Sequence, residues 1–175
     1  AYWSGDYDIW AVNADGTGLE QLTRGPFDDR EPTWSPDGAR VAFASDRGGS
    51  YDVWELTVAS GALRRVTGEP GNEYTPAYAP DGRRIAYVAD GERSGVWIRD
   101  GGDDIQVGDV GEDEVYSPSF APDGSRVAFV RIGTGTSGLH VVSATGGESA
   151  RRLTDDDQDV FPFRPSWTDD GRILY

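Results

Sequence analysis

The groups that could run a reaction in this chain are few. His140 is the one histidine and cysteine is absent, so thiolate nucleophiles, disulfides and thiolate metal sites are excluded together. A zinc site would have a single imidazole and no sulfur to draw on. No serine sits in a Gly-x-Ser-x-Gly elbow, the usual hydrolase signal. Carboxylates remain. They gather in Asp28, Asp29 and Glu31, in Glu69 and Glu73, in Glu112, Asp113 and Glu114, and in Asp155, Asp156, Asp157 and Asp159. Hard oxygen ligands at that density suit Ca²⁺, and negatively charged loops suit a basic peptide. The Asp155–Asp159 run lacks both the glycine turn and the closing glutamate of a calcium loop. Nothing marks two of the 31 acids as a glycosidase pair, whose spacing is set by the fold.

Four further aspartates sit in a phrase written four times. Glu31-Pro32-Thr33-Trp34-Ser35-Pro36-Asp37-Gly38 runs into Val41-Ala42-Phe43, and the phrase returns around Asp81-Gly82, Asp123-Gly124 and, in a worn copy, Asp170-Gly171. The glycines are 44, 42 and 47 residues apart. A catalytic residue normally occurs once and a turn residue in every repeat, so all four aspartates are expected to build turns. Proline pre-sets φ, aspartate bonds nearby backbone amides, and glycine takes the positive φ that follows. The same substitution logic makes His140 structural, because it replaces Trp10, Trp54 and Trp97 of the other copies.

A period in the low-to-mid forties with several short strands per unit predicts an all-β fold, a β-propeller of four-stranded antiparallel blades. The expected strands are a short inner one ending in an aromatic, then Val41–Ala44, Tyr51–Leu56 and a polar outer one such as Leu63–Thr67. The third copy of the outer strand, Ile105–Gly108, reads as weak. The whole of 1–175 is expected to be one unit, with repeats near 1–30, 31–74, 75–116 and 117–163. The stretch 164–175 then completes the first blade or starts another. Ala1-Tyr2-Trp3-Ser4 aligns with Ala42–Ser45, and Leu174-Tyr175 with Ala42-Phe43. Three arrangements follow: a four-bladed ring closed by its own termini, two chains sharing an eight-bladed ring, or a segment of a longer propeller.

The net charge is −15, from 31 acids and 16 arginines with no lysine. Phosphate binding needs cationic surface, so nucleic acid is disfavoured as a partner. No run approaches the ~20 apolar residues of a membrane span.

Trp34-Ser35-Pro36-Asp37-Gly38-x-x-Val41-Ala42-Phe43, followed by Ser45-Asp46-Arg47-Gly48-Gly49 and Asp52-Val53-Trp54, resembles the WD-like repeats of TolB-family propellers. Similar repeats occur in tricorn and prolyl-oligopeptidase-type propeller domains. The resemblance implies a non-catalytic module that binds proteins or peptides, in the periplasm or outside the cell. It leaves open a propeller domain of a peptidase or carbohydrate-active enzyme, and a fragment that closes a ring with another copy. On this reading the candidate binding surface is the acidic loops at the channel mouth: Asp28, Asp29, Glu31, Glu73, Glu112, Asp113, Glu114, Asp157 and Asp159. No cofactor is expected beyond Ca²⁺ at those loops.

Overall fold

Strands that alternate large and small apolar residues must be covered on both faces, and the fold does this by stacking sheets. The computed structural model describes residues 6–109, 111, 113–133, 136–155 and 157–175. A two-stranded hairpin, β1 (Trp10–Ala11) and β2 (Glu20–Gln21), comes first. Three four-stranded antiparallel sheets follow. The first contains β3 (Asp29–Trp34), β4 (Arg40–Ser45), β5 (Asp52–Thr57) and β6 (Ala62–Arg65). The second contains β7 (Glu73–Tyr78), β8 (Ile85–Ala89), β9 (Gly95–Asp100) and β10 (Asp103–Asp109). The third contains β11 (Glu114–Phe120), β12 (Arg126–Ile132), β13 (Ser137–Ser143) and β14 (Arg151–Arg152). A hairpin of β15 (Ser166–Trp167) and β16 (Ile173–Leu174) ends the series. Strand order follows chain order in every sheet, which is the meander of a propeller blade.

The second strands show how the blades wedge together. Phe43, Tyr87 and Phe129 occupy equivalent positions and are fully buried. Phe43 shares a cluster with Ile9 and Leu22 of the preceding hairpin. Tyr87 packs with Val53 and Val66 of the sheet before it, and Phe129 with Val96 and Val107 of the sheet before it. The alanines beside them face the other way: Ala42 joins the cluster of the following sheet, as does Ala86. Large side chains thus reach back and small ones receive the next blade. Burying each such aromatic removes apolar surface worth about 1.5–3 kcal/mol.

A second seam lies at the Pro-Asp-Gly end. Arg40 stacks over Tyr78 of the next sheet at 5.5 Å and donates to the Gly82 carbonyl at 2.8 Å. Arg84 repeats this with Phe120 at 5.4 Å and Gly124 at 3.0 Å. Arg126 stacks over Trp167 at 5.5 Å.

The structure departs from the sequence expectation in two places. β10, read as weak, is a seven-residue strand paired along β9 with one bulge. The inner strands begin earlier than expected, at Asp29, Glu73 and Glu114. Ala1–Ser4, read as part of a second strand, lie outside the described residues. Among the described residues the two terminal hairpins form separate sheets, so pairing between them does not close the arc.

Candidate functional site at the channel mouth

Each inner strand carries one irregularity at the same place. The register shifts between Arg30 and Thr33, between Tyr74 and Ala77, and between Tyr116 and Ser119. The proline there has no N–H to give the ladder, which makes it the natural seat for a bulge. The residue before it takes the left-handed conformation: Glu31 at φ 55°, Thr75 at 51° and Ser117 at 52°. These are the described non-glycine residues with positive φ, a conformation costing on the order of 1–3 kcal/mol each. Arg164, before Pro165, holds the matching place in the last unit.

These residues meet across sheets. The Thr75 N–H donates to Glu31 Oε2 at 2.7 Å, joining the first sheet to the second. Ser117 Oγ donates to the Pro162 carbonyl at 3.4 Å. Arg164 Nη2 donates to the Pro76 carbonyl at 2.9 Å, passing over the whole third sheet. A contact that skips a blade requires the inner strands to face a common axis. Glu31, Thr75, Ser117 and Arg164 therefore gather at the same end of the inner strands.

Aromatic and charged groups rim the same end. Arg30 lies over Tyr7 at 4.7 Å and Tyr51 at 5.6 Å, and Tyr51 packs on Tyr74 at 5.2 Å. Phe161 and Phe163 are 72% and 73% exposed with rings 6.1 Å apart. A cleft of about 220 Å³ between the second and third sheets is lined by Tyr74, Asp90, Glu114 and Tyr116. One of about 370 Å³ beside the third sheet is lined by Ile132, Ser137, Asp159, Val160 and Phe161.

The acidic residues separate into exposed and buried groups. Asp28 accepts from the Tyr51 hydroxyl at 2.7 Å and from Arg30. Burial works against its charge, but those bonds hold its carboxyl below the ordinary range. Burial and the same bond push the Tyr51 phenol up to about 12. Glu31 is exposed, as are Glu114, Asp157 and Asp159; Glu114 accepts from the Tyr116 hydroxyl at 2.5 Å. Asp113 accepts from Arg131 Nε at 2.6 Å. Glu112 lies outside the described residues.

Asp29 and Glu73 are buried in the strands rather than exposed in loops. Asp29 receives both its oxygens' bonds from Arg47 Nη2 at 2.7 Å, with Arg47 enclosed by Phe27, Phe43 and Trp54. Glu73, its equivalent, has no such arginine. It takes a bond from Thr67 Oγ1 at 3.1 Å, and burial pushes its carboxyl up to about 7, with the neighbouring Asp52 adding to the rise. Asp52 is itself held by Arg65 at 2.7 and 2.8 Å. Among the described residues no three His, Asp or Glu side chains group to hold a metal ion.

The other sequence candidates lie elsewhere. His140 is buried, stacked on Phe129 at 5.7 Å, with Nδ1 3.1 Å from the Gly138 carbonyl. The Pro-Asp-Gly turns sit at the far ends of the inner strands. Gly38, Gly82 and Gly124 have φ of 69°, 68° and 68°, and Gly171 has 83°. Asp37, Asp81 and Asp123 each accept a backbone amide two residues on, at 3.0, 2.8 and 2.9 Å, while Asp170 accepts from the Thr168 hydroxyl. Sequence reading missed the pre-proline ring; its one signal was a residue type that changes with every repeat inside an otherwise constant phrase.

Four-stranded antiparallel blades in chain order define a β-propeller of WD-like repeats. The chain belongs to the TolB beta propeller domain family, whose sequence profile matches residues 2–100. Its fold is similar to a structure assigned as TolB from Agrobacterium tumefaciens, at 22% identity and TM-score 0.74, covering 86% of this chain and 57% of that one. TolB from Acinetobacter baumannii is similar at 16% identity and TM-score 0.62, over 97% of this chain and 53% of that one. A puromycin-hydrolyzing peptidase from Mycobacterium tuberculosis is similar at 16% and 0.64, over 91% of this chain and 26% of that one. The chain spans little more than half the length of the two TolB structures. Among the described residues no helix is long and apolar enough to cross a membrane.

Proposed function

We propose that this chain is a binding module without catalysis of its own, a single propeller unit over 1–175 that presents its channel mouth to a protein or peptide. The observation that carries this reading is the ring of Glu31, Thr75, Ser117 and Arg164. A repeat keeps what folding needs, and this position varies as acid, hydroxyl, hydroxyl and base, the first three in a strained left-handed backbone. The exposed Phe161 and Phe163 and the tyrosine rim add rigid apolar area, the kind of surface that anchors interfaces. The acidic residues at the mouth, Asp28, Glu31, Glu114, Asp157 and Asp159, favour a partner with basic segments around its anchor. Family membership supports a periplasmic or extracellular setting.

Selection of dodecapeptides on the immobilised chain tests the reading. Selected peptides are expected to lose at least tenfold in affinity when Phe163→Ala or Tyr116→Ala is introduced. Peptides that bind both variants as well as the parent would place recognition away from the mouth and defeat the proposal. The second reading, a substrate-screening propeller of a peptidase, rests on the fold similarity to the puromycin-hydrolyzing enzyme. It expects selected peptides to bind weakly and without sequence preference.

A further inference from the structure

Arg164 is a cation reaching to the inner strand of the second sheet in a chain with net charge −15, and it makes no ion pair among the described residues. Its single described hydrogen bond goes to a backbone carbonyl, Pro76 O, so the other N–H groups of the guanidinium have no described partner; burial holds the guanidinium below its ordinary range, and the charge of Glu31 opposes that fall. The two positions between it and Glu31 are hydroxyls. Thr75 Oγ1 is inaccessible to solvent and has no hydrogen-bond partner among the described residues. Ser117 Oγ makes only a long bond, at 3.4 Å. Glu31 spends Oε2 on the Thr75 amide and leaves Oε1 free of any described bond. The group is therefore dipolar: a forked donor and an acceptor near enough to feel each other's charge, with the two hydroxyls beside them.

We infer that this ring is a subsite for a carboxylate, held by Arg164 and the Ser117 hydroxyl, with the peptide N–H next to that carboxylate directed at Glu31. The inference rests on the peptide-binding reading above and names the group recognised. A planar guanidinium matches a carboxylate with two parallel bonds, which an ammonium does not reproduce. A bare anion would satisfy Arg164 and be repelled by Glu31. The last residue of a peptide carries the carboxylate and an N–H donor a few ångströms apart, and so meets both Arg164 and Glu31. The carboxylate could equally come from an acidic side chain, and the test separates the two sources.

NMR titration of the ¹⁵N-labelled full chain with N-acetyl-triglycine, its C-terminal amide and N-acetyl-aspartic acid α-amide, whose side-chain carboxylate is free, supplies that test. The free acid is expected to shift the Arg164 Nε–H and the Thr75 and Ser117 amides, at least tenfold more tightly than the amide does. Arg164→Gln should reduce the acid to the level of the amide, and Arg164→Lys should retain an intermediate preference. Stronger binding by the aspartic acid derivative than by triglycine would assign the subsite to acidic side chains; the reverse order assigns it to chain termini. Acid and amide binding alike, no binding by either acid, or a preference that survives Arg164→Gln each overturn the inference. Dodecapeptides that lose affinity in Phe163→Ala yet bind the same with free or amidated ends would leave the binding-module reading intact and remove only this subsite.

Discussion

Glu73 shows what one buried side chain does to the energetics. Its carboxyl is fully buried between the first and second sheets, beside the arginine-bound Asp52. Below about pH 4.5 it is neutral folded or unfolded and costs nothing. Between 4.5 and about 7 the unfolded chain ionises while the folded site keeps its proton, so stability falls as pH rises. Above that the penalty is complete, about 3 kcal/mol. Glu73→Gln, which keeps a donor toward Asp52, should therefore raise the melting temperature at pH 8 and leave it unchanged at pH 4. Thermal melts of both proteins across that range check the sign. Asp81 works in the opposite sense: exposed, it accepts the Arg83 and Arg84 amides at 2.8 and 3.0 Å and Arg84 Nε at 2.6 Å. Asp81→Ala should cost about 1 kcal/mol in urea unfolding and leave peptide binding untouched. Neither the depth of Glu73 nor its missing arginine was legible in the sequence. Asp29 and Glu73 look alike there, and the difference lies in Arg47, whose counterpart in the second sheet is Gly91.

At the scale of the strand, the sequence carried the pattern of burial but not the breaks in it. Val41–Ala44 and Ile85–Ala89 alternate large and small residues, and both are buried throughout, as two-sided packing demands. The bulges ran against the local rule instead, since a residue before proline is ordinarily extended. Only the packed neighbours on either side hold Glu31, Thr75 and Ser117 in the left-handed region. Thr75 is the most strained of these by type, because a β-branched side chain fits that conformation worst. Thr75→Asn should stabilise the fold by about 1 kcal/mol, asparagine tolerating that region; a lower urea midpoint would show that the threonine hydroxyl matters more than the strain. The arginine seam was written in plain view as Pro-Asp-Gly-x-Arg, but its purpose needed three dimensions, because each arginine serves the following blade. Trp54 gives the measure of blade contact. It packs against the cluster that joins Ile9 of the preceding hairpin to Val41, Phe43 and Leu56, and lies under Arg47 at 5.3 Å. Trp54→Ala should lower stability by about 3–5 kcal/mol.

For the molecule as a whole, the repeat fixes the blade while saying nothing of how many blades close a ring, since closure depends on wedge angles that spacing does not encode. Charge is the property that does belong to the whole chain. With 31 acids against 16 arginines, self-repulsion opposes the compact state even though many arginines are paired. Raising salt shortens the screening length from about 10 Å at 0.1 M to about 3 Å at 1 M. The repulsion acts over longer distances than the ion pairs, so it is screened first, and NaCl should raise the melting temperature. Calcium distinguishes screening from coordination. Since no three acidic side chains converge among the described residues, CaCl₂ and NaCl at equal ionic strength should stabilise nearly equally. A stabilisation by Ca²⁺ that saturates at millimolar concentration, lost in Asp157→Asn or Asp159→Asn, would instead assign a hard-cation site to the acidic stretch beside the larger cleft, and the net charge would then have a local purpose as well as a global one.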